Sequence, residues 1–460
     1  MKQKDEVLGV EIVGGLREAS TPWAGVSLLV ELFRRSGVDA VANKVLPAKG
    51  TAKGLKQGQT VESFVLLSAL GGECIEDMER LRQDKGLEAM LGYPLPAPET
   101  ARQWLDKFHD EGLITKERPL QGAFIPPESA TLAGLKEPSR QVIWAYVDKV
   151  KPGWQVTFDV DAQLVETSKA NAQYCYEGYR AFQPMEVEWA ETGLVLADEL
   201  RDGNVHAGRG IREIVDEAYA MLPPGPWQVK VRSDSAAYQQ PVLDHWQRRG
   251  WQFAVSADMS RELRKAIEAL PQDAWEVWKE EKRGMIREWA EVPYVPTRQY
   301  ERRDSQPYRY LAIRVRRQQG ELLEDGVKVR HIAVVTNIWD TGGQKLLEWQ
   351  RGKAGTIEHI HHILDNELAA GVYPSAKHGA NAAWLRLQVL THNLLQLLKT
   401  VALPKEYATA RPKRLRFAIF TQFGRVISHA GQMLLRIATR TWDVLIRPAY
   451  YRILALSPSG

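Results

Sequence analysis

The spacing of the apolar residues changes near Lys151, and this change limits the folds open to the chain. Before it, segments such as SLLVELFRRSGVDAVANKVL carry apolar residues three and four positions apart, which predicts amphipathic helices. After it, VTFDVDA alternates apolar and acidic residues, which predicts a strand. Three more strand patterns follow, MEVEWAE, WQVKVRSD and WQFAVSAD, with helical segments among them. A helical region followed by strands and helices in alternation predicts the α/β class.

At about 100–200 residues per domain, the 460 residues suggest about three structural units, and further changes of pattern divide the chain into five regions. Strands without intervening helices after Pro271 predict a β-rich insertion, and helical spacing returns near Lys353. We therefore predict a multi-domain α/β fold. Its regions are a helical one at 1–140, the first part of an α/β core at 141–270, the insertion at 271–345, the second part of the core at 346–403, and a basic, helical C-terminal tail at 404–460.

The composition excludes several classes of protein. Hydrophobic residues at 44% and charged residues at 26% are typical of a globular chain. Cys74 and Cys175 are the only cysteines, which rules out a disulfide framework, and neither has the spacing of a zinc finger. No stretch approaches the roughly 18 consecutive apolar residues of a membrane span, and the first residues lack the apolar core of a signal peptide. We therefore expect a cytoplasmic protein with no membrane partner.

Basic residues are concentrated near the end of the chain. From Lys405 to Arg452 there are ten lysines and arginines and two acidic residues, a net charge of +8 in a chain whose total is +4. Such a segment suits a polyanion such as DNA, because lysine and arginine near phosphates release condensed counterions. A solvated tail is the alternative. Lys413, Arg414 and Arg416 are candidate DNA contacts in this segment.

A second candidate DNA-binding element lies between Pro94 and Phe108. The proline-rich PLPAP ends one helix, and a short amphipathic helix follows it, with Arg102 among its polar residues. A helix, a break and a second helix suit a helix-turn-helix reader of DNA. Helical pairs without any DNA partner are also common, so a structural role for the pair is the alternative. Arg102 is the candidate DNA contact here.

Four acidic side chains stand out from their surroundings. Asp159 and Asp161 share one face of the strand VTFDVDA, where two carboxylates repel each other unless a cation neutralises them, the alternative being a solvated strand edge. Asp234 ends the strand WQVKVRS, where it suits either catalysis or the cap of a turn. Glu358 lies in a helix whose opposite face is apolar. Two strand aspartates and a later helical glutamate suit two Mg²⁺ ions, since hard cations prefer carboxylate oxygen.

The segments around these residues resemble the motifs of the DDE transposases of bacterial insertion sequences, more narrowly the group 1 DDE domain with a β-strand insertion before the glutamate. The first motif of that family, Asp-x-Asp followed by a small residue and usually Thr, reads DVDAQ here, with Gln163 at the last position. The second motif is matched by RSDSAAY, which begins at Arg232, and the third by RGKAGTIE, which ends at Glu358. Related transposases often carry Lys seven residues after the Glu, where this chain has Asp365.

This resemblance implies an RNase H-like catalytic core in which Asp161, Asp234 and Glu358 are the catalytic metal ligands, with Asp159 as the alternative to Asp161. It implies Mg²⁺ as the cofactor, with Mn²⁺ as a substitute. The implied partners are double-stranded DNA, as terminal inverted repeats and target, and a second copy of the chain in a homodimeric synaptic complex. The implied activity is cut-and-paste transposition of an insertion sequence in the bacterial cytoplasm.

The insertion and the third motif supply the remaining candidate DNA contacts. The basic ones are Arg309, Arg314, Arg316 and Arg351. They would hold backbone phosphates, a solvated β face being the alternative. In related transposases with this insertion, a Trp from it can stack on a base swung out of the duplex, which suggests Trp289 or Trp339 here. For each of these two residues the alternative is ordinary packing.

Two other functions remain open. An RNase H-like DNA nuclease without strand transfer would use the same carboxylates and metals. A non-catalytic DNA-binding protein, such as a decayed transposase, would keep the fold. The departures at Gln163 and Asp365 favour decay, whereas the intact set of acidic residues argues against it.

Overall fold

The first part of the chain is helical, as its apolar spacing predicts. The computed structural model describes residues 19–47, 54–120, 122–281, 285–296, 307–317, 329–430 and 432–456. A short strand, β1 (Ser20–Thr21), comes first. The α-helices that follow are α1 (Ser27–Arg35), α2 (Val38–Val45), α3 (Gln57–Ala69), α4 (Met78–Arg82), α5 (Lys85–Leu91), α6 (Pro98–Asp106), α7 (Glu111–Glu117), α8 (Ala130–Gly134) and α9 (Lys136–Val150).

Six strands come next, and helices and strands then alternate up to the insertion, in keeping with the predicted α/β class. The elements up to the insertion are β2 (Gln155–Ala162), β3 (Val165–Glu166), β4 (Gln173–Tyr174), β5 (Arg180–Phe182), β6 (Met185–Trp189), β7 (Leu194–Glu199), α10 (Ile211–Met221), β8 (Gln228–Ser233), α11 (Gln240–Arg248), β9 (Gln252–Ala257) and α12 (Arg261–Glu268). The later elements are β10 (Glu276–Glu281), β11 (Met285–Val292), β12 (Arg309–Arg317), β13 (Arg330–Thr336), α13 (Gly343–Arg351), α14 (Ile357–Glu367), α15 (His378–Val401), α16 (Pro412–Leu415), β14 (Gly424–His429), β15 (Gln432–Ile437), α17 (Thr439–Thr441) and α18 (Arg447–Leu454).

One mixed sheet of nine strands forms the centre of the molecule, in the order β10-β11-β12-β13-β9-β8-β2-β6-β7. β2, β8 and β9 run parallel to one another, and the remaining neighbours are antiparallel. Because β13 pairs directly with β9, the strands of the insertion continue the sheet of the core. A smaller sheet of β3, β5 and β4 follows β2 in the chain. The fold is therefore mixed α/β around one large mixed sheet.

The two faces of the sheet have different partners. Phe158 is in register with Val231, and Val231 with Phe253, so the three side chains share one face. Phe253 packs on Trp246 of α11 on that face. The opposite face carries Asp159, which contacts Thr356 immediately before α14. Helix α15 is buried over most of its length and packs against α9, α3 and β7.

The prediction of a helical C-terminal tail is wrong for the stretch that holds Gly424–His429 and Gln432–Ile437. This stretch forms the β14–β15 hairpin, which pairs with β1. Three features favour strands here: β-branched Val426 and Ile427, a turn at Ala430 with a φ of 49°, and Gly424, which passes so close to Ala24 that a side chain would collide with it. Apolar residues three and four apart occur by coincidence in the same stretch, which is why the sequence pattern favoured a helix.

The C-terminal region packs on the N-terminal helices. The Val426 N–H donates to the Ala19 carbonyl, and Arg35 of α1 donates to the Leu454 carbonyl at 3.3 Å. The Arg416 guanidinium donates to the carbonyls of Ser68 and Ala69 at the end of α3. Residues from the two ends of the described chain thus form one body. None of the described helices combines the length and the apolar character needed to cross a membrane.

Candidate active site

Asp161 and Asp234 lie side by side at the carboxyl ends of neighbouring parallel strands. Val160 of β2 is in register with Ser233 of β8, so Asp161 and Asp234, each the next residue, are at the same level. Asp159 is in register with Arg232, and their side chains contact each other, so both project from the same face of the sheet. Because side chains alternate between the two faces along a strand, Asp161 and Asp234, each two residues further along, project from that face as well. The sheet therefore brings together two carboxylates that are 73 residues apart in sequence.

Asp159 lies one step deeper on this face and is fully buried. Arg232 donates to both of its carboxylate oxygens, from Nε to Oδ1 and from Nη2 to Oδ2, each at 2.6 Å. The Thr356 hydroxyl donates to Oδ2 as well. Arg232 is held in turn by the Trp349 carbonyl at 2.5 Å. The charge of Asp159 is thus neutralised within the protein, as a buried carboxylate requires.

Asp161 has a cationic neighbour of its own. The Lys353 ammonium lies 3.2 Å from Asp161 Oδ1, and both side chains are largely shielded from solvent. Lys353 belongs to a short 3-10 turn, Gly352–Gly355, which joins α13 to α14. The repulsion between Asp159 and Asp161 that the sequence indicates is therefore relieved by two different basic residues, Arg232 and Lys353.

Asp234 and Glu358 are both exposed. Asp234 Oδ1 accepts a hydrogen bond from the Ala236 N–H at 3.1 Å, so this residue caps the short turn after β8, one of the two roles that its position predicts. Glu358 lies in the first turn of α14, two residues after Thr356, which contacts Asp159. Among the residues that the structure describes, no three His, Cys, Asp or Glu side chains lie close enough to hold a metal ion. The predicted ligands thus share one region of the sheet without forming a closed cluster.

Two buried glutamates on β6 extend this acidic face. Asp161 is in register with Glu186, and Asp159 with Glu188, and both glutamates are shielded from solvent. Burial, together with the charge of Asp159, raises the pKa of Glu188 to about 8. Sequence reasoning missed both residues, because the alternation in MEVEWAE is also the pattern of a strand with one solvated face.

Half-buried Asp365 and buried His361 complete this acidic region. His361 Nε2 lies 3.2 Å from Glu186 Oε2. Burial lowers the pKa of His361, but the negative charges of Glu186 and Asp161 outweigh it, and the net pKa is raised. Burial and the nearby Glu186 raise the pKa of Asp365 to about 7. The position where related transposases often have Lys therefore carries a carboxyl whose pKa is raised towards neutral pH.

Several arginines that were predicted to contact DNA bind other groups of the protein instead. Arg309 is buried, pairs with Glu291 and donates to the carbonyls of Ile338 and Thr341 at 3.0 and 2.7 Å. Arg314 donates to Glu288 at 2.7 Å and lies over the ring of Trp275. Arg102 pairs with Glu76 and Glu99. The side chain of Arg316, which belongs to β12, lies outside the described residues.

Other predicted DNA contacts are exposed. Lys413, Arg414 and Arg351 reach solvent, and Arg351 also lies over the ring of Trp278. Trp339 is 59% exposed, whereas Trp289 is 8% exposed and lies against Gly343. The two tryptophans proposed from the sequence therefore occupy different environments, one at the surface and one in a hydrophobic core.

The donor set at the carboxyl ends of β2 and β8 suits a hard divalent cation. Asp161 and Asp234 present carboxylate oxygens at one level, and Asp161 already attracts a positive group. Magnesium sites commonly use one or two carboxylates, with waters and substrate phosphates completing the shell. The residues present therefore fit a divalent metal that is completed by substrate, and they lack the sulfur or paired imidazole ligands typical of zinc.

Comparisons with known proteins give a family match and a structural likeness. A family model described as "Transposase DDE domain group 1" matches residues 15–457. No curated protein sequence matches the chain. Among solved structures, the chain is similar to the cryo-EM structure of a piggyBac transposase synaptic complex with hairpin DNA. That likeness has 8% sequence identity and a TM-score of 0.42, and it covers 83% of this chain and 77% of the other.

Proposed function

The chain belongs to the group 1 family of transposase DDE domains and is a transposase, and we propose that it moves a bacterial insertion sequence by a cut-and-paste route. In this proposal a homodimer binds the terminal inverted repeats of the element in the cytoplasm, cleaves the DNA at its ends and joins the freed 3′ ends to target DNA. The family uses divalent metal ions, and we propose Mg²⁺ here, with Mn²⁺ as a substitute.

One observation carries the proposal: Asp161 and Asp234 stand at one level on neighbouring parallel strands. These two side chains and Glu358 would hold the metal ions. When bound, such ions activate the attacking water or 3′-hydroxyl and stabilise the leaving oxygen. Asp159 is less suited to this role than Asp161, because Arg232 and Thr356 already occupy its oxygens. Arg232, in turn, holds β2, β8 and the segment before α14 together beneath the proposed metal ligands.

The remaining regions have roles that follow from the same proposal. β2, β6, β7, β8 and β9 with their helices would form an RNase H-like core, which β10–β13 extend as the insertion. The helical N-terminal region and the basic C-terminal region would bind the repeats. Phosphate contacts fit best at the exposed side chains of Arg351, Lys413 and Arg414, and base stacking fits best at exposed Trp339.

The experiment that tests the proposal measures Mg²⁺-dependent nicking of a duplex that carries the end of the element, and joining of that end to a plasmid. Asp161→Asn, Asp234→Asn and Glu358→Gln should each abolish nicking while end binding persists, because DNA affinity comes mainly from phosphate contacts elsewhere. The matched control is Glu213→Gln, an exposed carboxylate on α10, which should nick like wild type. Near wild-type nicking by all three variants would refute the proposal. Nicking without joining would identify a nuclease.

A further inference from the structure

Helix α14, which carries Glu358, has polar contacts with the sheet on both sides of that residue. Two residues before Glu358, the Thr356 hydroxyl donates to Asp159 of β2. Three residues after it, His361 Nε2 lies 3.2 Å from Glu186 Oε2 of β6. Residues three apart are neighbours on a helix surface, so His361 and Glu358 lie on the same side of α14. The start of the helix is therefore fixed to two neighbouring strands.

Glu186 stands beside Asp161, the proposed metal ligand on β2. The two residues are in register on the antiparallel strands β2 and β6, so their side chains are neighbours on one face of the sheet. Glu186 is fully buried, and His361 is 6% exposed. The contact of His361 with Glu186 thus ties the helix that carries Glu358 to the strand next to Asp161.

The surroundings of His361 are acidic. Besides Glu186, the acidic groups that act on it are Asp161, Glu188 and Asp365. Within the described part of the chain, neither oxygen of Glu186 has a hydrogen-bond partner, and His361 is the only basic side chain that this carboxylate contacts. The buried carboxylate of Glu186 therefore depends on this one contact.

A buried glutamate elsewhere in the chain has a fuller set of partners. Glu62 of α3 is 2% exposed, and the Arg34 guanidinium donates to both of its oxygens, at 2.9 and 2.8 Å. The Tyr93 hydroxyl donates to it as well, at 2.6 Å. Glu186 is buried at least as deeply without such a network. Apolar residues of similar volume are often as stable as a buried ion pair, so stability alone gives little reason for Glu186 and His361.

We propose that Glu186 and His361 are positioning residues for the metal site, whose contact sets the placement of α14 and so holds Glu358 towards Asp161. This inference rests on the proposed function and adds two residues to it. Apolar packing of α14 is not directional, whereas two polar atoms interact well over a narrow range of geometry. Residues that orient a metal ligand commonly change metal affinity by about 10–100-fold when they are lost.

The experiment compares two double variants that carry the same change in charge. Glu186→Gln with His361→Gln keeps a polar contact, because the amide nitrogen of glutamine reaches as far as Nε2 of histidine. Glu186→Leu with His361→Leu removes the contact. Binding of Mn²⁺, measured by the electron paramagnetic resonance signal of the free ion, should be on the order of tenfold weaker for the leucine pair than for the glutamine pair.

Nicking of the end duplex gives a second measurement on the same variants. The Mn²⁺ concentration for half-maximal nicking should be on the order of tenfold higher for the leucine pair, with equal rates at saturating Mn²⁺. A merely structural role would instead lower the rate at saturation through loss of folded protein and leave the half-maximal concentration unchanged. His362→Leu, at an exposed position on α14, is the matched control and should bind Mn²⁺ and nick like wild type.

Thermal unfolding shows whether the double variants fold. If the leucine pair does not fold, His361→Gln and His361→Asn take the place of the two double variants, because the shorter side chain of asparagine does not reach Glu186. Equal Mn²⁺ affinity and equal half-maximal concentrations within a folded pair overturn the inference, and the proposed function stands if the wild-type chain nicks. A wild-type chain that neither binds Mn²⁺ nor nicks DNA overturns both.

Discussion

The ammonium of Lys353 lies 3.2 Å from Oδ1 of Asp161, the carboxylate proposed as a metal ligand. A divalent cation that binds Asp161 must displace this ammonium or share the carboxylate with it, because like charges repel at such distances. The turn that carries Lys353 runs from Gly352, which lies close against the Arg232 guanidinium, to Gly355, where a side chain would meet no other atoms. We therefore expect Lys353 to compete with metal for Asp161 in the absence of DNA.

Replacing Lys353 with Met should tighten metal binding. A partly shielded ion pair contributes on the order of 1 kcal/mol, so we expect roughly fivefold higher affinity for Mn²⁺ without DNA. The electron paramagnetic resonance signal of free Mn²⁺ measures this directly. Lys345→Met, at an exposed position on α13, is the control and should leave the affinity unchanged. Equal or weaker Mn²⁺ binding by Lys353→Met would show that the ammonium does not compete.

Asp159 and Asp161 should respond differently to the same substitution. Asp159→Asn leaves the buried guanidinium of Arg232 without its counter-charge, and breaking a buried pair costs about 3–5 kcal/mol of unfolding free energy. Asp161→Asn removes a partly exposed pair and should cost about 1 kcal/mol or less while abolishing nicking. Urea unfolding and the nicking assay, run on both variants, separate the two roles. If Asp161→Asn were destabilised and Asp159→Asn were as stable as wild type, Asp161 would be the structural residue and Asp159 the candidate metal ligand.

In the core, local patterns were enough to predict the main strands, but not how they pair. Period-two spacing identified β2, β6, β8 and β9, and it placed Asp159 and Asp161 on one face. It could not say that β13 would pair with β9, because the pairing joins residues such as Ala257 and Ala333, far apart in the chain. Strand order depends on tertiary packing, which no short segment encodes.

The same limit applies within the site. The burial and pairing of Asp159 depend on Arg232, 73 residues further along the chain, and on Thr356 beyond the insertion. Glu186 and Glu188 have the alternation of a solvated strand face and are nevertheless buried. At β14 and β15, two periodicities coexist in one stretch, and the contact of Gly424 with Ala24 favours the strand. Long-range contacts decided each of these cases.

Glu188 makes stability depend on pH. Its pKa is raised from 4.5 to about 8, chiefly by burial and next by the charge of Asp159. Between these two values the unfolded chain releases a proton that the folded protein keeps, so the stability from this group falls as the pH rises and is level above about 8. Glu188→Gln cannot ionise at this position and so does not lose stability in this way. The free energy of unfolding of the variant minus that of wild type should therefore rise by a few kcal/mol from pH 4 to pH 9.

Chemical unfolding across this pH range measures the effect of Glu188→Gln. Exposed Glu166 provides the control, and Glu166→Gln should follow the wild-type curve at every pH. A constant difference between Glu188→Gln and wild type from acid to alkaline pH would mean that Glu188 ionises normally in the folded protein.

Trp289 and Trp339, the two tryptophans suggested for base stacking, should respond differently to replacement by alanine. Trp289 is buried with Leu311, Ile313 and Leu346, and its ring lies so close to Gly343 that no side chain would fit there. Trp289→Ala should therefore cost about 3–5 kcal/mol of unfolding free energy and reduce both strand-cleavage steps through loss of structure.

Trp339 is exposed on a turn that buried Arg309 holds in place, through the carbonyls of Ile338 and Thr341 on either side of it. Trp339→Ala should leave stability within about 0.5 kcal/mol of wild type. If the ring stacks on a base swung out of the duplex, first-strand nicking persists and second-strand processing is selectively lost, because about 1–3 kcal/mol of stacking is missing from that step alone. An abasic nucleotide at the swung-out position should restore the step, since it removes the base that needs a partner. Unchanged second-strand processing in a folded Trp339→Ala variant would show that this surface tryptophan has no part in the reaction.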